Sequence, residues 1–155
     1  IDDLIAYNSA TFAPANIEDT RIRGVEASAG TVVAEWQLNA QFTWLDAENR
    51  TEGANDGNEL PRRPSHTAQL DVDRAFGRYS AGASLTVADS SYDDLGNENE
   101  LDSYEIVDLR AAVDLAPSWQ LQATLNNVFD EEYETARFYN QADRNVFFTL
   151  RYQPQ

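Results

Sequence analysis

Residues 36–44 read WQLNAQFTW. In an extended chain Trp36, Leu38, Ala40, Phe42 and Trp44 share one face, and Gln37, Asn39, Gln41 and Thr43 share the other, because successive strand side chains point to opposite sides. The same alternation recurs along the chain. In TAQLDVDRAF (67–76), Ala68, Leu70, Val72 and Phe76 oppose Gln69, Asp71 and Asp73, and Arg74 interrupts the apolar row near its end. In YSAGASLTV (79–87), Tyr79, Ala81, Ala83, Leu85 and Val87 oppose Ser80, Gly82, Ser84 and Thr86. VDLRAAVDL (107–115), WQLQATLNN (119–127) and NVFFTLRY (145–152) follow suit, with Phe147 as an exception on the polar side. Two weaker strands, around 1–8 and 19–30, complete a predicted meander of eight. Helical periodicity bounded by caps is missing, so the expected class is all-β.

Two media could explain the two faces. In a soluble sheet the apolar face meets a core and the polar face meets bulk water. In a transmembrane barrel the apolar face meets lipid and the polar face a wet lumen. Connection lengths favour the barrel. Short turns fall at Gly30–Ala34, Phe76–Arg78 and Leu115–Ser118, and long segments at Ser9–Thr20, Asp46–Arg63, Asp89–Ser103 and Asp130–Arg144. Long external loops alternating with short turns are the habit of outer-membrane barrels. Aromatic placement agrees. Trp36, Trp44, Phe76, Tyr79, Trp119, Phe129 and Tyr152 bound the apolar stripes, as interfacial girdles do.

Composition narrows the function. The 155 residues carry 27 acids against 11 bases, a net charge of −16, which speaks against a nucleic-acid partner. With no cysteine and a single histidine, His66, neither a thiolate nor a multi-histidine metal site is expected. The acidic loop YDDLGNENELD (92–102) lacks the ligand spacing of an EF-hand. No metal, cofactor or catalytic residue is assigned, because no nucleophile and base are paired by any motif. The opening IDDLIAYN has no charged leader or apolar signal core, so an inner or processed piece of a longer protein is expected.

Several stretches carry a family resemblance. NVFDEEYET (127–135), followed by FYNQADRNVFFTLRYQ (138–153), resembles the C-terminal signature of TonB-dependent outer-membrane receptors. IDDLIAYN (1–8) with ANIEDTRIRGVEASA (15–29), and LPRRPSHTAQLDVD (60–73), are similar to earlier strands of that family. Within it the similarity is greatest to its cobalamin receptors. The resemblance implies an antiparallel up-and-down transmembrane β-barrel, with residues 1–155 forming roughly eight strands of the C-terminal arc of a 22-stranded cylinder. It implies a Gram-negative outer membrane, partnership with TonB through a plug domain and TonB box outside this chain, and contact with outer-membrane lipid and lipopolysaccharide. The implied activity is energised uptake of a scarce large ligand, cobalamin first, ferric siderophore or haem as alternatives. Two other readings stay open: a complete eight-stranded barrel with an adhesive or structural role, closed by pairing Ile1 with the last strand, and a barrel lipase or protease.

On this reading Glu26, Gln37, Asn39, Gln41, Asp71, Asp73, Asp108 and Arg110 are expected to line the lumen. Tyr92, Arg137, Phe138, Tyr139 and Asn140, at the tips of long loops, are expected to contact ligand, since aromatic rings supply large contact area at low entropic cost. Gly24, inside a strand, suggests a bulge or a close backbone approach. His66 is expected to be an interfacial residue.

Overall fold

A computed structural model describes residues 2–8 and 13–154. The strands are β1 (Asp2–Asn8), β2 (Ala13–Val33), β3 (Trp36–Asn49), β4 (His66–Phe76), β5 (Tyr79–Ala88), β6 (Ser91–Tyr92), β7 (Glu100–Leu101), β8 (Tyr104–Ala116), β9 (Trp119–Asn126) and β10 (Asn145–Tyr152). Eight of them form one antiparallel sheet in the order β1-β2-β3-β4-β5-β8-β9-β10, and β6 pairs β7 in a separate hairpin. Every neighbour in the large sheet is a sequence neighbour apart from that inserted hairpin, which is the expected meander. β1 and β10 stand at opposite edges, so the sheet is open and the closed eight-stranded alternative is not what forms. Ile1 itself lies outside the described residues.

Register aligns the faces across strands. Ala27↔Phe42, Phe42↔Ala68 and Ala68↔Val87 make one apolar row, and Ala81↔Ala111, Ala111↔Ala123 and Ala123↔Phe148 make another. Among the described residues no second layer covers the apolar face: Val25, Phe42, Leu70, Leu109, Val146, Phe148 and Leu150 are all exposed. Soluble domains bury such a face against a packed layer. Among the described residues the buried apolar side chains are Ile17, Ala47, Leu60, Ala88, Leu101 and Ile106, and they gather toward the long-loop end of the sheet.

Three boundaries differ from the expectation. The segment 9–20, expected as a long loop, is strand from Ala13 onward, with residues 9–12 outside the described set. β3 continues past Trp44 to Asn49. There the ladder pairs Arg23 with Asp46 and Arg21 with Glu48, and their side chains meet at 2.6 Å in both cases; opposite charges across a strand pair sustain a ladder that hydrophobic alternation does not mark. The first short connection is not Gly30–Ala34. It is Ala34–Glu35, with φ of 49° and 69°, the positive pair that a tight hairpin needs to follow strand twist. Gly30 stays in β2, where a Cβ would stand 2.9 Å from Asn39 Oδ1. Gly24 shows the close approach without a bulge: its register with Leu45 is unbroken, and a Cβ would lie 2.7 Å from the Trp44 carbonyl.

Candidate functional site

At the turn end, strand ends place aromatic rings on the apolar face. Trp36 opens β3, Phe76 closes β4, Tyr79 opens β5, Trp119 opens β9 and Tyr152 closes β10. Trp36 and Phe76 meet edge-on at 6.1 Å, and Trp119 lies 4.7 Å from Tyr152. Arg74, the interruption of the apolar row, lies 4.7 Å from the Phe76 ring centre and 5.5 Å from that of Trp36. It also pairs with Glu35 at 2.6 Å. A guanidinium between rings at a strand end keeps its stem against apolar surface while its charge stays with Glu35 and water.

Trp44 marks the opposite edge of the apolar band. It pairs with Val25 and with His66, whose Nδ1 lies 2.6 Å from Asp89 Oδ2. From Trp36 to Trp44 the chain rises eight residues, about 26 Å along the strand at ~3.3 Å each; at a barrel tilt of about 40° this covers roughly 20 Å of depth, most of an apolar band of about 25 Å. One step beyond Trp44 the apolar face turns charged, with Arg21, Arg23, Asp46 and Glu48. The polar face changes in the reverse sense: Ile22, Leu45 and Ala47 occupy it there, and Leu60 and Leu95 from two loops pack with them and Ile17. The loops therefore lean over the polar face, not the apolar one. Phe129 lies just beyond β9 and is exposed.

Lower on the polar face, Asn39, Asp71, Ser84 and Asp108 form one row, and Gln37, Asp73, Gly82, Arg110, Thr124 and Phe147 form the next. Arg110 donates to Asp73 through Nε at 2.7 Å and Nη2 at 2.5 Å, and lies 3.5 Å from Asp71. Asp108 accepts the Asn127 N–H at 2.8 Å. Glu26 and Gln41 stand on the same face in neighbouring strands, paired with Thr43 and with Ser28 and Gln69. All eight residues expected at the lumen thus share one face. Phe147 stands on that face too and is exposed.

The loop candidates separate into buried and exposed members. Asp93, 6% exposed, accepts the Arg62 Nε–H at 2.7 Å and the Arg137 backbone N–H at 3.0 Å. It thereby joins the β3–β4, β5–β8 and β9–β10 connections. Asp93 was invisible in the sequence, because nothing in its acidic run distinguishes it from Asp94. Arg137 also donates to the Asn99 side chain, and its guanidinium lies 4.8 Å from the Phe138 ring centre. Phe138 is 80% exposed with φ of 68°, and Tyr139 is 71% exposed. A bulky residue in the left-handed region is strained; here the Phe138 N–H is held by Glu134 Oε2 at 3.1 Å. Asn140 bridges to Glu134. Tyr92 is half-buried in β6 and its carbonyl accepts the Arg62 N–H at 2.7 Å, so it serves the loop framework more than the open surface.

The neighbouring acid Asp94 organises its own turn. Burial pushes its carboxyl up, but donors from the Asn99 side chain and from the backbone of Asn99, Glu98 and Gly96 outweigh this and hold it below its ordinary 3.8. Its oxygens are thus committed to the chain. Among the described residues no group of three or more His, Asp or Glu is arranged to hold a metal ion.

The family model described as "TonB dependent receptor-like, beta-barrel" matches residues 1–128. The chain belongs to the TonB-dependent receptor family. Vitamin B12 transporter BtuB of Photobacterium profundum is 27% identical over 160 residues, which covers 99% of this chain and 26% of that protein. The BtuB of Vibrio cholerae is 31% identical over 161 residues, covering 99% and 25%. The crystal structure of the siderophore receptor PiuA from Acinetobacter baumannii superposes with a TM-score of 0.81 at 21% identity, over 97% of this chain and 24% of that one. The chain therefore spans about a quarter of the length of these relatives. The open sheet is an arc of a TonB-dependent receptor barrel.

Proposed function

We propose that this chain forms wall and external loops of an outer-membrane receptor for TonB-driven uptake of a large scarce ligand, cobalamin in the first place. The observation that carries the reading is the loop layer. Three connections tied at Asp93 lean over the polar face and present Phe138 and Tyr139 outward. Aromatic rings held rigidly lose little entropy on engaging a ligand. Glu26, Gln37, Asn39, Gln41, Asp71, Asp73, Asp108 and Arg110 line the lumen in this proposal, and the plug and TonB-contacting segment come from the rest of the receptor. The protein works by binding and passage, with no covalent step. Likeness to BtuB over almost the whole chain supports cobalamin; likeness to a siderophore receptor structure supports a ferric chelate as the second candidate.

Binding of cyanocobalamin, ferric siderophores and haem to the intact receptor carrying this chain distinguishes them. Cobalamin is expected to bind, and Phe138→Ala with Tyr139→Ala to weaken binding about tenfold or more, as loss of exposed aromatic anchors does. Tight binding of a ferric siderophore with no affinity for cobalamin shifts the ligand to the second candidate; unchanged affinity in the double variant removes the loop tip from the site.

A further inference from the structure

The β3–β4 connection returns along the end of β3 and leaves it for a few residues. The Leu60 N–H donates to the Ala47 carbonyl at 2.9 Å, and the Ser65 carbonyl accepts the Leu45 N–H at 2.8 Å. Residues 61–64, Pro-Arg-Arg-Pro, arch between these two anchors. Pro61 and Pro64 fix their own φ, and Pro64 also keeps Arg63 out of the helical region. Arg62 takes a φ of 57°, a left-handed conformation that is costly without glycine and persists only where surrounding contacts impose it. Two contacts do so here: its N–H donates to the Tyr92 carbonyl at 2.7 Å, and its Nε–H to Asp93 Oδ1 at 2.7 Å. The arch is therefore rigid, and Arg62 and Arg63, although consecutive, line one hollow. Leu4, Ile17 and Leu60 form its apolar wall, and Asp93 completes its polar side.

The two arginines differ. Arg62 is committed to Asp93. Arg63 is half-buried and has no hydrogen bond or ion pair among the described residues. The chain holds 27 acids against 11 bases, so carboxylates are plentiful. A partly desolvated guanidinium left without one is a cost that a bound anion removes. Charge in the hollow points the same way. Two guanidiniums face one carboxylate, and Asp93 already accepts from Arg62 and from the Arg137 N–H. One positive charge is left over, on a planar donor fork that matches phosphate and carboxylate oxygens. The hollow measures about 120 Å³, below the ~300 Å³ of a site that encloses a whole small ligand, so it admits one side arm of a larger molecule. Asp93 joins it to the loop that presents Phe138 and Tyr139. We infer that this hollow binds one acidic arm of the transported ligand, a phosphate ester or carboxylate on an apolar stem, with Arg63 as its counter-charge. The inference rests on the functional reading above and adds the chemical class of the ligand to it.

Equilibrium titration of the intact receptor in detergent tests this with three pairs of probes, each an anionic molecule and a counterpart without the oxyanion: cyanocobalamin and dicyanocobinamide, haem and its dimethyl ester, ferric citrate and an uncharged ferric trihydroxamate. In the pair that the receptor binds, the anionic member is expected to bind about tenfold tighter, and the identity of that pair tells phosphate ester from carboxylate. Arg63→Gln is expected to weaken the anionic member about tenfold and to leave its counterpart within about twofold. Arg63→Lys is expected to fall between, since the charge stays and the fork is lost. If the Gln variant loses the heat-modifiable mobility of a folded barrel, the Lys variant carries the comparison. An equal effect on both members of the pair, no effect on either, or preference for the uncharged member overturns the site and leaves the functional reading standing. Binding of none of these probes overturns the functional reading together with the site.

Discussion

Gly82 shows how one absent methyl group organises the polar face. It sits between Asp73 and Arg110 in register, two strand spacings apart, about 10 Å. The Arg110 side chain crosses this gap only because Gly82 has no side chain. A Cβ there would fall onto Asp73 Oδ1 and lie 2.7 Å from Arg110 Nε. Gly82→Ala is therefore expected to break the pair without altering either charge. With both partners partly wet, the cost is on the order of 1–2 kcal/mol, read as a lowered urea midpoint of the detergent-folded barrel; an unchanged midpoint contradicts the crossing geometry. In the sequence Gly82 looked like one more small polar-face residue. Gly30 misled in the other direction. A glycine near a strand end suggests a turn, yet Ala34 and Glu35 adopt the positive φ values. The Glu35–Arg74 pair at 2.6 Å helps hold a turn that local propensity does not favour.

Strand pairs and loops read differently from sequence. All eight sheet strands were legible: six by a clear period of two, which survives wherever one face is apolar, and β1 and β2 as the weaker strands around 1–8 and 19–30. The outer part of β2–β3 was not, since above Trp44 both faces change partner: charged residues take the side that was apolar, and Ile22, Leu45 and Ala47 take the side that was polar. The β6–β7 hairpin was also missed, because two-residue strands leave no periodicity. The loop node depends on tertiary placement that no local rule encodes. Asp93→Ala is expected to free the β9–β10 connection, since it removes the buried acceptor of both Arg62 and the Arg137 N–H. Loss of such a bond costs about 1–3 kcal/mol. Hydrogen exchange of residues 127–144 in the intact receptor should rise about tenfold or more. Exchange confined to the 89–103 connection, with 127–144 unchanged, shows instead that Asp93 does not tie the loops.

For the molecule as a whole, the decisive feature is a single sheet with one uncovered apolar face. Water does not tolerate so large a contiguous apolar surface, and hydrocarbon does not tolerate open strand edges. In the receptor proposed above, neighbouring strands of the barrel satisfy the edges at β1 and β10. The division into an apolar and a polar face was legible from alternation; the lean of the loops over the polar face was not, because it depends on Leu60 and Leu95 finding Ile22, Leu45 and Ala47 across the chain. The absence of cysteine allows a clean probe of the faces if the rest of the receptor is made cysteine-free. Single cysteines placed in turn at positions 37 to 43, spin-labelled in the bilayer-reconstituted receptor, report access to oxygen in hydrocarbon and to a water-soluble nickel chelate. Positions 38, 40 and 42 should favour oxygen and exclude nickel, while 37, 39, 41 and 43 show no oxygen enrichment, giving a strict period of two. Nickel access at 38, 40 and 42, or no alternation between the two sets, contradicts the assignment of lipid to the apolar face.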